Sequence, residues 1–163
     1  MKKGFLIIST LLTVQFCIAQ SDTPAYKRNP VIPQITLLMT DSTNLTNENF
    51  KNQPIIIMYF SPTCDHCQHQ WEDMVKRMDD LKKFQIVMVT YQPYEDMVDF
   101  YKDRNIASYS NVKMGRDIKF VLPPFYQIKS LPYLALYDKK GKLITTFEGN
   151  VTVDKLVEAF KTK

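Results

Sequence analysis

Residues 54–71 read Pro-Ile-Ile-Ile-Met-Tyr-Phe-Ser-Pro-Thr-Cys64-Asp65-His66-Cys67-Gln-His-Gln-Trp71. The apolar run Ile55–Phe60 has the length and β-branched content of a buried strand. Ser61-Pro62-Thr63 supplies a turn. Beyond it, Trp71, Met74, Val75, Met78 and Leu81 recur at helical spacing, one apolar stripe on a helix expected from Cys64 to about Lys82. Glu72, Asp73, Lys76, Arg77, Asp79 and Asp80 fall on its solvent face. Two cysteines three residues apart therefore stand where a strand ends and a helix begins.

That placement carries chemistry. Residues i and i+3 share a helix face, so the two sulfurs can close a small disulfide ring. The first cysteine meets the unpaired N–H groups and the positive dipole end of the helix, which favour a thiolate, the form that attacks disulfides. Cys64 is the expected nucleophile and Cys67 the expected resolving thiol.

The 163 residues suit one domain with a real core. Their first nineteen differ from the rest. Lys2 and Lys3 open a basic start, Phe5–Phe16 is mainly apolar, and Cys17-Ile18-Ala19 offers small residues for cleavage before Gln20. This is the layout of a secretory signal peptide, too short in its apolar part for a membrane span. The alternatives are an uncleaved anchor or a lipoprotein signal at Cys17, which bulky Phe16 disfavours. The expected address is the periplasm or cell envelope of a Gram-negative-type bacterium. Removing Lys2 and Lys3 from the 21 basic residues leaves 19 against 17 acids, a net charge of +2. No basic run marks a nucleic-acid surface.

Three cysteines become two after such cleavage, both in the Cys64-x-x-Cys67 motif. A structural disulfide stabilises most when it closes a long loop. This pair closes almost none, so reactivity explains it better than stability. A redox-active Cys64–Cys67 disulfide then needs no further cofactor.

In chain order, residues 20–33, with Pro24, Pro30 and Pro33, read as an extended leader before a domain at 34–163. Gln34–Met39 is a first strand, Thr40–Asn44 a turn and Leu45–Lys51 a short helical turn. After the cysteine helix, Phe84–Thr90 is a strand. Tyr94–Arg104 is a helix with Met97, Val98 and Tyr101 inward. Asp117–Leu122 reads as a strand or an irregular approach, and Pro123–Ile128 as a short helix with proline at its start. Leu131–Phe147 is a hairpin turning at Asp138–Gly141. Thr152 caps a last helix that buries Leu156, Val157 and Phe160. This alternation implies an α/β fold, a mixed sheet with helices on both faces.

The strand Ile55–Phe60, the motif Phe60-Ser-Pro-Thr-Cys-Asp-His-Cys67 and the segment Ser130-Leu131-Pro132-Tyr133 before the hairpin resemble the thioredoxin superfamily over residues 31–163. The extra strand–helix unit between Cys67 and Pro132, the exported address and the N-terminal strand resemble most the TlpA/ResA-like branch of envelope thiol-disulfide oxidoreductases. The resemblance implies a thioredoxin-like fold with an N-terminal extension. It also implies a cis Pro132 beside the cysteines, with the Leu131 backbone pairing with the substrate chain. The partners it implies are protein thiols and disulfides of the envelope, with a membrane electron donor behind them. The chain departs from the family pattern at Thr63 before Cys64, at His66 between the cysteines, at Gln70 where many members carry Glu, and at Met58 where cytosolic members bury Asp.

The same resemblance implies that His66 tunes the pair toward a more oxidising disulfide by favouring the Cys64 thiolate. Asp65 acts oppositely, because a carboxylate repels a thiolate. Two other functions compete. Cys64, Cys67, His66 and His69 form a compact set that suits Cu(I) or Zn carriage, completed by Asp, Met or a second chain. Alternatively, the fold serves as a binding module without turnover. A peroxidase would call for an arginine beside Cys64, and none is near in sequence.

Overall fold

The computed structural model of the chain describes residues 23–50 and 52–161. The expected signal peptide, with its cleavage point at Ala19-Gln20, lies outside the described residues. Seven strands form one mixed sheet: β1 (Thr36–Met39), β2 (Asn44–Thr46), β3 (Ile55–Tyr59), β4 (Gln85–Thr90), β5 (Val112–Arg116), β6 (Tyr133–Tyr137) and β7 (Leu143–Glu148). Their spatial order is β2-β1-β5-β4-β3-β6-β7. β3, β4 and β5 run parallel, with Ile57 opposite Val87 and Met88 opposite Met114. β6 lies antiparallel to β3, so Tyr59 at the end of β3 faces Tyr133 at the start of β6. That pairing brings Pro132 to the same rim of the sheet as the turn after β3.

Successive residues of β3 point to opposite faces, and both faces are covered, which is why the strand reads as a continuous apolar run. Ile56, Met58 and Phe60 pack with Trp71 and Met74 of α2 (Asp65–Lys76), Leu81 of α3 (Met78–Leu81), Met97 and Phe100 of α4 (Tyr94–Asp103) and Leu156 of α6 (Val153–Ala159). Ile55, Ile57 and Tyr59 pack on the other face with Leu122 and Tyr126 of α5 (Leu122–Tyr126) and with Phe50 of the 3-10 turn Asn47–Phe50. The chain is an α/β protein of thioredoxin-like fold, as its sequence pattern implies.

Five details differ from the sequence reading. Residues 23–33 are not an extended tether. They contain a one-turn helix, α1 (Ala25–Arg28), whose Tyr26 ring lies 5.8 Å from that of Tyr126. Val31 then bridges to Lys142, and the Pro30 carbonyl accepts from Leu143 N–H at 2.7 Å. Apolar Tyr26 and Ile32 gain burial against the sheet, which three prolines do not oppose. The cysteine helix breaks at Arg77, whose side chain turns to Asp80 and Asp154 while Asp80 N–H bonds the Arg77 carbonyl.

Asn44–Thr46 is a strand, not the end of a turn and the start of a helix, because Leu37 and Leu45 pair across β1 and β2 and are buried together. Of the two readings of Asp117–Leu122 the irregular approach holds, since β5 ends at Arg116 and Asp117–Phe120 leads irregularly into α5. In α4 the inward residues are Met97 and Phe100, with Val98 and Tyr101 half-buried. In α6, likewise, Val153 and Leu156 are buried and Val157 and Phe160 half-buried, as befits a helix on the outer edge of the core.

Candidate active site

The turn after β3 is fixed before the helix begins. Cys64 N–H donates to the Ser61 carbonyl at 3.1 Å, closing Ser61–Cys64 as a β-turn with Pro62 at its favoured second position. The Ser61 and Thr63 hydroxyls lie 3.2 Å apart. Cys64 is the N-cap of α2. Its backbone is extended, and its Sγ accepts the N–H of Cys67 at 3.3 Å, the place a serine or aspartate oxygen takes at other helix starts. Sulfur replaces oxygen there, so the group that satisfies the helix end is the group that reacts.

The two thiols occupy different surroundings. Cys64 is half-buried at the rim, whereas Cys67 is wholly buried against Met58, Phe60 and Trp71. Burial pushes the Cys67 thiol up to about 12, aided by its hydrogen bond with Cys64 and opposed by the Ser61 backbone amide. Cys67 is therefore held as a neutral thiol while Cys64 faces solvent.

The Leu131–Pro132 peptide is cis. Pro132 is buried and Leu131 half-buried, touching the apolar groups of both faces of the sheet. Three successive residues beyond β7 join this segment to the cysteine helix. Gly149 N–H donates to the Pro132 carbonyl at 2.8 Å. Asn150 Nδ2 donates to the His66 carbonyl at 2.8 Å. Val151 is clamped by Gln70, whose Nε2 donates to the Val151 carbonyl at 3.0 Å and whose Oε1 accepts the Val151 N–H at 2.7 Å. The Gly149–Val151 strap thus sets the distance between Pro132 and the cysteines. Gly149 sits at φ +77, a conformation that side chains resist.

Gln70 is buried on the same face of α2 as Cys67 and Trp71, and both ends of its amide are spent on Val151. Asp65 and His66 lie exposed in the first turn of α2. Among the described residues, neither side chain bonds a cysteine sulfur, so the structure brings them near the pair in sequence and not in contact. His69 is also exposed, with Nδ1 2.8 Å from the Asp65 carbonyl. No group of three or more Cys, His, Asp or Glu side chains among the described residues is arranged to hold a metal ion, so Cys64, Cys67, His66 and His69 do not converge as one cluster.

Two residues that the sequence reading did not single out enter the site. Gln68 Nε2 donates to the Pro62 carbonyl at 2.8 Å. Its Oε1 accepts from Arg104 Nη2 at 2.7 Å, while Arg104 Nη1 bonds Glu72 at 2.9 Å. Arg104 caps α4, far away in sequence, so only the tertiary fold reveals it. The arginine is bonded to α2 side chains, not to Cys64.

Comparison with known proteins agrees with this fold. The model of the AhpC/TSA family matches residues 29–157. A protein disulfide-isomerase from Ricinus communis is 25% identical over 128 residues, 78% of this chain and 22% of that protein, so the chain spans about a fifth of the length of this relative. Similar solved structures include the exposed lipoprotein thioredoxin Etrx1 of Streptococcus pneumoniae, with a TM-score of 0.66, 20% identity and coverage of 80% of this chain and 100% of that one. StoA of Bacillus subtilis gives a TM-score of 0.62 with 20% identity, covering 80% and 98%. A secreted disulfide oxidoreductase of Mycobacterium tuberculosis gives 0.65 with 15% identity, covering 80% and 96%.

Proposed function

Since the chain belongs to the AhpC/TSA family of thioredoxin-superfamily domains, we propose that it is an exported thiol-disulfide oxidoreductase that exchanges a Cys64–Cys67 disulfide with partner proteins. The observation that carries the reading is the asymmetric pair: Cys64 at the rim as the N-cap of α2, Cys67 buried behind it and linked to it at 3.3 Å. A structural disulfide has no need of such asymmetry.

In the reducing direction the Cys64 thiolate attacks one sulfur of a partner disulfide, and the other partner sulfur leaves as a thiolate. That thiolate takes the proton of Cys67, since among the described residues Met58 and the fully bonded Gln70 offer no basic side chain at the buried sulfur. Cys67 then attacks Cys64, the Cys64–Cys67 disulfide forms, and the second partner thiolate departs. Two electrons pass to the partner, and the reverse sequence oxidises it. Leu131 stands beside Pro132 at the same rim, where its backbone can pair with an extended partner chain. Asp65 and His66 tune the equilibrium through their charge near the helix start.

Export is supported by the signal-peptide pattern of residues 1–19 and by relatives described as exposed or secreted. No helix among the described residues is long and apolar enough to cross a membrane. The test is turnover by the mature chain: Cys64→Ser abolishes insulin reduction and refolding of a scrambled disulfide protein. Unchanged turnover in that variant rejects the reading, and an inert wild-type dithiol favours a binding module instead.

A further inference from the structure

Arg104, Gln68 and Pro62 form a chain of contacts that ends at the turn carrying Cys64. An amide has one donating end and one accepting end, and Arg is a donor only. With Arg104 Nη2 on Gln68 Oε1 at 2.7 Å, the Gln68 NH2 end must face away from the guanidinium, and it meets the Pro62 carbonyl at 2.8 Å. Arg104 is itself held in place. Glu72 takes its other nitrogen, its guanidinium lies 5.7 Å from the centre of the Phe100 ring, and its side chain is only 30% exposed. Phe100 in turn packs on Phe60, the residue that precedes the turn, with ring centres 5.0 Å apart.

We infer that Arg104 and Gln68 are positioning residues that set the redox equilibrium of the Cys64–Cys67 pair by orienting the Pro62–Thr63 peptide; this rests on the oxidoreductase reading. The charge-assisted bond withdraws electron density along the Gln68 amide and through the Pro62 carbonyl. The turn so held presents Cys64 as the N-cap of α2, where its Sγ in the reduced pair accepts the Cys67 N–H at 3.3 Å, so the reduced form is favoured and the disulfide is made more oxidising.

The experiment is the equilibrium of the mature chain with a glutathione buffer, for wild type, Arg104→Met, Gln68→Met and the double variant. Met keeps the side-chain length and removes the hydrogen bonds. Each single variant is expected to make the disulfide harder to reduce by about three- to tenfold, the scale of one ordinary hydrogen bond. The double variant is expected to match the singles, because Arg104 acts through Gln68. Wild-type equilibrium constants in both single variants would overturn the inference, and so would additive effects in the double. Arg104→Lys covers the case in which a Met variant does not fold. Lysine keeps the charge but lacks the planar fork that reaches Gln68 and Glu72 together, so it is expected to behave as Met does, and a wild-type value would overturn the inference. If wild type itself does not exchange with glutathione, the oxidoreductase reading fails first.

Discussion

The backbone N–H of Cys67 donates to Sγ of Cys64 at 3.3 Å, so the two cysteines are coupled even as free thiols. The donor residue buries its own sulfur, which raises Cys67 to about 12 from an ordinary 9.0, with burial the first cause. In Cys64→Ala the burial remains. Alkylation of Cys67 in the native variant should therefore climb about tenfold per pH unit from 7 to beyond 10 without levelling, because only the thiolate reacts. In urea the same thiol should level off near 9. A native plateau near 9 would show that the sulfur ionises as an exposed one does. The linkage has a definite sign. The folded value is raised, so the stability contributed by neutral Cys67 is intact below about pH 9 and is lost as pH rises toward about 12.

Gln70 offers a second test. Its amide satisfies both backbone groups of Val151 from a buried position. Gln70→Ala removes two hydrogen bonds, strands two polar groups and opens a cavity, a loss of about 2–4 kcal/mol by urea unfolding. Gln70→Glu keeps the shape but sets a carboxylate oxygen against the Val151 carbonyl. Only a protonated Glu can donate there, so its folded pKa should be raised. Its stability relative to wild type should then be better at pH 4 than at pH 7. A Glu variant equally stable at both values would show that the strap relaxes around the charge.

The core of this site was legible in the sequence because it is local. A strand of six apolar residues, a proline turn and a helical stripe sit within thirty residues, and each signal stands on its own. Even Gln70 left a trace, as a polar residue among Cys67, Trp71 and Met74 on the buried face of the helix. What it bonds was not legible, because Val151 lies 81 residues away, and Arg104 lies 36 from Gln68. β5 was hidden for a different reason. Val112-Lys-Met-Gly-Arg116 carries Lys113 outward and Gly115 inward, so neither an apolar run nor a clean alternation appears. Its strand character comes from pairing with β4 and β1, not from its own residues.

α5 ends on Gln127, which adopts the left-handed conformation at φ 55 and donates its N–H to the Pro123 carbonyl. Glycine holds that position at no steric cost. Gln127 is exposed and makes no part of the redox site. Gln127→Gly should stabilise the fold by roughly 0.5–1 kcal/mol, visible as a rise of about 1–4 °C in Tm, with the glutathione equilibrium unchanged. A drop in Tm would mean that the glycine's added freedom in the unfolded chain outweighs the relieved strain.

Gly115 tests whether the N-terminal strands are bound to the domain as closely as the structure places them. A Cβ at this position would lie 2.8 Å from Leu37 Cβ and 3.3 Å from Met39 Sδ. Leu37 Cβ is the root of its side chain and cannot swing aside, so β1 itself must move. β1 meets β5 through only two paired positions, Leu38 with Arg116 and Met39 with Gly115. Gly115→Ala should cost about 1–3 kcal/mol, the usual penalty for overpacking. The loss should be concentrated in β1 and β2, because β5 retains its five pairings with β4 on the other side. Amide exchange resolves the two cases. Faster exchange confined to residues 36–46, with β3 and β4 protected, is the expected outcome. Uniform acceleration across the sheet would show that β1 and β2 unfold with the cysteine-bearing core as one unit.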